Sequence, residues 1–268
     1  MSMPPAEVLD LFAVPCALAP LVGGSYRAGD LVLSPGREES TQAWLSPVLA
    51  HLAVRLDENP ARRARDLRIA VPVPARDGSW VVAGWAASRY EHGAVRCRDL
   101  EVVLAAGRLF HAQLAAEVGT RPVGLDQRQD RWARAEQLAF GPAGPMEAAA
   151  AGTRAADAIR LAASHLHDLP LGVDQLVHAD LAGNVLLDPN GAPVVIDVSP
   201  AWRPALWAEA VAILDSVVWF GAQGSVLEAW TVGSERQALL RALVFRALSG
   251  RPFETQAYES VLNVIAST

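Results

Sequence analysis

His178, Asp180, Asn184 and Asp197 lie in one short window, across "HADLAGNVLLD" (178–188) and "VVIDVSP" (194–200). One imidazole, two carboxylates and a carboxamide make an oxygen-rich set. Such oxygens suit a hard divalent cation like Mg2+, which keeps water or phosphate in the rest of its shell. A carboxylate beside that ion can take a hydrogen bond and then a proton from a hydroxyl. Phosphoryl transfer has these needs, because positioning and charge neutralisation supply most of its catalysis. Two plainer readings compete. One is a β-hairpin whose acids sit at turns and whose asparagine caps a loop. The other is a His/Asp metallohydrolase, which fits less well: there are six histidines, none clustered with His178 in sequence, and zinc sites take three or four protein ligands.

Two β-like runs must position these groups, 175–188 and 192–200, with Pro189–Asn190–Gly191 turning between them as a hairpin. Strand ends would fix the separation of the groups and leave little ordering cost for chemistry. Upstream, 23–35 reads as a hairpin turning at Ala28–Gly29–Asp30, and Arg76–Asp77–Gly78 turns a second one. A helix is expected over 38–56, broken or restarted near Pro47, and Glu91–Gly93 reads as a connector. From Asp99 the apolar period becomes helical through Leu100, Val103, Leu104, Gly107, His111 and Leu114. Further helices are expected over 130–140, 146–167, 234–248 and 254–265. Trp207, Ala210, Val211, Leu214 and Val218 form another stripe, and everything after Pro200 reads as helical. His111 reads as a packed histidine.

The 268 residues are 51% hydrophobic, enough for a substantial core. No run approaches the roughly 20 apolar residues of a membrane span. The nearest candidate, 11–22, holds Pro15 and Pro20 and follows acidic Glu7 and Asp10, so no leader or membrane partner is expected and the location reads as cytoplasmic. Cys16 and Cys97 fit no metal spacing. A net charge of −6 gives no reason to expect nucleic acid. Residues 98–197 hold thirteen of the 29 acids against eight arginines, so the acidity gathers around the motif. All 23 cationic Lys/Arg positions are arginine. That removes a Walker A loop, which needs its lysine, and Schiff-base chemistry, which needs a side-chain amine.

The run "VHADLAGNVLLD" followed by "VVIDVSP" resembles the aminoglycoside phosphotransferase and choline kinase-like superfamily. More narrowly, "GNVLLD" with "VVIDVSPAWRPALWAEAV" resembles an actinobacterial branch of it. "LVGGSYRAGDLVL" is similar to that superfamily's nucleotide loop and following strand, and "WAASRYEHG" to its later strand and hinge. The resemblance implies an α+β, bilobal, protein-kinase-like fold. A small N-terminal sheet lobe with one helix would span residues 1–93, and a larger, mostly helical lobe carrying the catalytic hairpin would span 94–268. It implies an ATP- and Mg2+-dependent phosphotransferase acting on a small-molecule hydroxyl. Asp180 would be the base, Asn184 and Asp197 the metal ligands and His178 a brace. Gly23, Gly24, Ser25, Ser34, Arg89 and Tyr90 would contact the nucleotide. Three positions depart from the family run: Ser34 stands where a lysine is usual, Asn184 follows Asp180 by four residues rather than five, and Ala179 replaces glycine. The first two point to an alternative, a pseudokinase that binds nucleotide or a partner without transfer.

Overall fold

The structure is a computed structural model that describes residues 3–142, 144–150, 155–249 and 254–266. In chain order its elements are α1 (Ala6–Leu11), β1 (Leu18–Pro20), β2 (Tyr26–Ala28), β3 (Leu31–Pro35), α2 (Glu39–Asp57), β4 (Arg68–Ile69), β5 (Pro72–Val73), β6 (Trp85–Arg89), β7 (Val95–Arg96) and α3 (Leu100–Glu117). There follow α4 (Val123–Asp126), α5 (Arg131–Phe140), α6 (Gly144–Ala150), α7 (Ala156–Ser164), β8 (Asp174–His178), β9 (Val185–Leu187), β10 (Pro193–Val195), β11 (Pro200–Pro204), α8 (Ala205–Trp219), α9 (Gly233–Ser249) and α10 (Glu259–Ala266). The chain is mixed α+β and divides into two compact units. One is Met1–Val95 with Pro122–Gln127 and Leu186–Ile196; the other is Arg96–Arg121 with Arg128–Val185 and Asp197–Thr268.

In the first unit a five-stranded sheet runs in the order β1-β2-β3-β6-β5, antiparallel at each pairing. Both expected hairpins are there. Gly29 has φ +63 in the β2–β3 turn and Gly78 φ +87 in the β5–β6 connection, where Asp77 Oδ1 accepts from Ser79 N at 2.9 Å. Val8, Phe12, Leu33, Val82 and Trp85 form the core under this sheet. Contrary to the break expected at Pro47, α2 is one continuous helix. Leu45, Leu49 and Leu52 bury its face on both sides of the proline, and Ser46 Oγ donates to Gln42 Oε1 at 2.7 Å. Tertiary packing thus holds the helix despite the missing N–H.

The second unit is mostly helical. Asp99 and Asp130 cap α3 and α5 by accepting the first free backbone N–H groups. Trp207 and Phe245 pack edge to face in its core with centroids 5.1 Å apart, among the buried residues of α7, α8 and α9. The helix expected over 146–167 is two helices, α6 and α7, and 151–154 lie outside the described residues. The stretch after Pro200 is a strand first, not a helix. β11 pairs antiparallel with β8, setting Pro200 opposite His178 and Trp202 opposite Leu176. The run 175–188 is therefore two strands, and only β9 continues to β10 through the Asp188–Gly191 turn. Prolines at both ends of β11 suit an edge strand, where missing N–H groups cost no ladder bond. No described helix is long and apolar enough to cross a membrane.

Candidate active site

β8 ends at His178, which is fully buried. Its backbone N–H donates to His111 Nε2 at 3.1 Å. Burial, and then the neighbouring His178, lower the His111 pKa to about 3, so His111 is neutral and its Nε2 is an acceptor. His178 Nδ1 in turn accepts from Asp180 N at 3.1 Å and from Ser199 N at 3.3 Å. An Nδ1 that accepts carries no proton, which places the ring proton on Nε2. Ala179 N donates to Ser199 O at 2.9 Å. His178 and Ala179 thus tie the start of the Asp180 loop to the segment just after Asp197.

The four-residue step from Asp180 to Asn184 closes as a β-turn. Asn184 N donates to Leu181 O at 2.9 Å, and Gly183, third in the turn, takes φ +83, as a type II turn demands. The turn folds Asn184 back, so its Nδ2 donates to Asp180 O at 2.6 Å and lies 3.3 Å from Asp180 Oδ2. A Cβ on Gly183 would lie 2.5 Å from Phe220 Cζ, and one on Gly107 of α3 would lie 2.4 Å from Leu181 Cδ2. Two glycines therefore let the turn seat against α3 and the end of α8. Ala179 is buried and is absent from the residues of positive φ, so its methyl group is accommodated without backbone strain.

Asp180 has a further partner that the sequence did not announce. Arg246 of α9 donates from Nη2 to Asp180 Oδ1 at 2.6 Å and from Nε to Asp215 Oδ1 of α8 at 2.8 Å. Its Nη2 also contacts Asp215 Oδ2. The Arg246 and Asp215 side chains are 1% and 0% exposed, whereas Asp180 is 33% exposed. Burial works against the guanidinium charge, but Asp215 and Asp180 outweigh it and raise the Arg246 pKa above the ordinary arginine value. Removing one member of such a buried pair costs about 3–5 kcal/mol. A signal was present: Asp215 is a lone acid in the apolar run "AVAILDSVVW", and a buried charge requires a partner.

Asp197 follows β10 at the point where the chain leaves for β11. It is exposed and takes φ +51, in the left-handed region that aspartate enters more readily than most residues. Two residues on, Ser199 is fixed to His178 and Ala179 by the bonds above. Since Asn184 uses its amide nitrogen on Asp180, its Oδ1 is the atom that could meet a cation. An amide oxygen and a carboxylate are each hard oxygen donors of the kind Mg2+ takes beside phosphate and water. Among the described residues no three His, Cys, Asp or Glu side chains gather into a metal site, so no all-protein cage is built.

The residues proposed for the nucleotide lie in the first unit. Gly23 and Gly24 take φ +76 and +82 between β1 and β2, where Leu21 N donates to Ser25 O at 2.8 Å. Ser25 Oγ and Ser34 Oγ are 3.2 Å apart, which joins this loop to β3. Arg89 and Tyr90 lie elsewhere. The β3–β6 register sets Ser34 opposite Ala86 and Leu31 opposite Arg89, which puts Arg89 about 10 Å along the ladder from Ser34. Tyr90 N donates to Asp30 O at 2.8 Å, and the Arg27 guanidinium stacks 4.3 Å above the Tyr90 ring.

No protein-family profile matches the chain, and no curated protein matches it. Solved structures do. One is an aminoglycoside phosphotransferase from Alicyclobacillus acidocaldarius, with a TM-score of 0.48 and 15% identity over 99% of this chain and 82% of that one. Another is the choline kinase LicA from Streptococcus pneumoniae, with a TM-score of 0.49 and 13% identity over 98% and 97%. A third is a choline/ethanolamine kinase family protein from Mesorhizobium loti, with a TM-score of 0.46 and 17% identity over 97% and 93%.

Proposed function

We propose that the chain is a phosphotransferase that moves the terminal phosphoryl group of ATP, with Mg2+, to a hydroxyl of a small molecule. The observation that carries this reading is the closed Asp180–Asn184 turn. It sets a partly exposed carboxylate beside a carboxamide whose nitrogen is already engaged, while His178 ties the Asp180 backbone to Ser199, two residues past Asp197. Asn184 Oδ1 and the Asp197 carboxylate would hold Mg2+, which when bound neutralises charge on the donor phosphates. Asp180 accepts the proton of the acceptor hydroxyl as that oxygen bonds to phosphorus and the bond to the departing ADP breaks. In the first unit, Gly23, Gly24, Ser25 and Ser34 are the phosphate-binding candidates, and Arg89 and Tyr90 the candidates for the rest of the nucleotide.

The second reading is a pseudokinase that binds nucleotide or a partner without transfer. It is favoured by Ser34, whose hydroxyl meets Ser25 where a cation would otherwise approach phosphate. A thermal-shift titration with Mg-ATP, followed by a transfer assay over a panel of hydroxyl metabolites, separates the two. Millimolar Mg-ATP is expected to raise the melting temperature, since a ligand that binds only the folded chain stabilises it. Asp180→Asn is expected to keep that shift and lose transfer. A shift with no transfer to any acceptor favours the second reading, and no shift rejects both nucleotide-binding versions and leaves only the partner-binding form.

A further inference from the structure

We propose that Arg246, seated on Asp215, is the positioning residue that fixes the Asp180 carboxylate for proton acceptance; this rests on the phosphotransferase reading. A carboxylate that is 33% exposed has several rotamers open to it unless something holds it. Here Oδ1 is taken by Arg246 Nη2 at 2.6 Å, and Oδ2 lies 3.3 Å from Asn184 Nδ2. The guanidinium itself is immobilised. Asp215 takes its Nε, and the rings of Phe245, Trp132 and Trp219 lie 5.2, 5.5 and 5.9 Å from its central carbon. A planar fork held this way can present one N–H to Asp180 in one direction only, which an ammonium on a flexible stem cannot do. Arg246 keeps its proton throughout. Oδ2, with the longer contact, is the oxygen that receives the acceptor's proton.

The test compares wild type with R246M/D215L, which removes both buried charges together and leaves neither unpaired. Three quantities are measured: Mg-ATP affinity, Mg-ATP turnover with water or a panel hydroxyl as acceptor, and the Asp180 conformation in crystal structures. The pair variant is expected to bind Mg-ATP like wild type, to turn over about a hundredfold more slowly, the effect of a misplaced catalytic group, and to show Asp180 in new or multiple conformers. Unchanged turnover, or Asp180 in the same single conformer, overturns the proposal. If wild type turns over no Mg-ATP, the phosphotransferase reading falls, and the Asp180 conformer alone decides the positioning claim. If the pair variant does not fold, R246K replaces it: a lower kcat with unchanged KM for Mg-ATP supports the proposal, and an unchanged kcat overturns it.

Discussion

Two glycine-bearing loops carry the proposed functional groups, and they are built in opposite ways. The Asp180–Asn184 turn is fixed from every direction. His178 holds its start, Asn184 holds its end, Arg246 holds its side chain, and Leu181 fills the space above Gly107. The Gly23–Ser25 loop has one backbone bond across it and one hydroxyl pair. Val22 at its tip is 73% exposed, and a Cβ on Gly23 would meet nothing within 4 Å. Under the proposed function, the groups that act on the reacting atom would be in place before any ligand arrives. Under the same reading, the sparsely bonded Gly23–Ser25 loop would be completed by the phosphates it meets, at an ordering cost in affinity.

The sharpest way to break this contrast is Asp180→Asn. It should lower transfer by about 10²–10⁴-fold while the Mg-ATP thermal shift persists; equal transfer by the two proteins removes Asp180 from its role. Next is the glycine pair. Gly183→Ala meets both a positive φ and the Phe220 ring, and should cost about 2–4 kcal/mol in denaturant unfolding. Gly23→Ala meets only its φ and should cost about 1 kcal/mol. Adding Phe220→Ala should recover part of the first loss and none of the second.

A pH series probes the support beneath the rigid loop. The unfolded chain takes up a proton on His111 near the ordinary 6.5, and the folded protein refuses it until about 3. The stability tied to this group is therefore complete above about pH 6.5 and is lost as pH falls through that window, at up to about 1.4 kcal/mol per unit. His111→Gln keeps an acceptor for His178 N–H and should flatten the difference between pH 7 and pH 4 in urea titrations. The smallest effect is expected of Ser34→Ala, which removes a part-buried hydroxyl pair worth about 0.5–1.5 kcal/mol. It should lower Mg-ATP affinity by isothermal titration and lower unfolding stability by no more than that amount.

What could be read in advance was local. Side-chain types gave the oxygen-rich set, "AGD" and "RDG" gave the two hairpins, and Asp99 and Asp130 announced the helices they cap. What could not be read was pairing at a distance. β11 looked like the entry to a helix because it is short and bounded by prolines, and only β8, more than twenty residues upstream, gives it a partner. Arg246 carried no reading beyond its place in the helix expected over 234–248; its acceptor on Asp180 is 66 residues away. The Asp180–Asn184 spacing read only as one residue shorter than the family run. It resolves as a tight turn because Gly183 supplies a backbone conformation that spacing alone does not reveal.

The left-handed backbone at Asp197 sets charge and conformation against each other in a single residue. Glycine there would relax the chain and remove the carboxylate, alanine would remove the carboxylate and keep the strain, and asparagine would tolerate the angle while losing the formal charge. Replacements at this position therefore cannot be ranked on one scale: the substitution gentlest to the fold is among those that most completely empty the site of its negative oxygen.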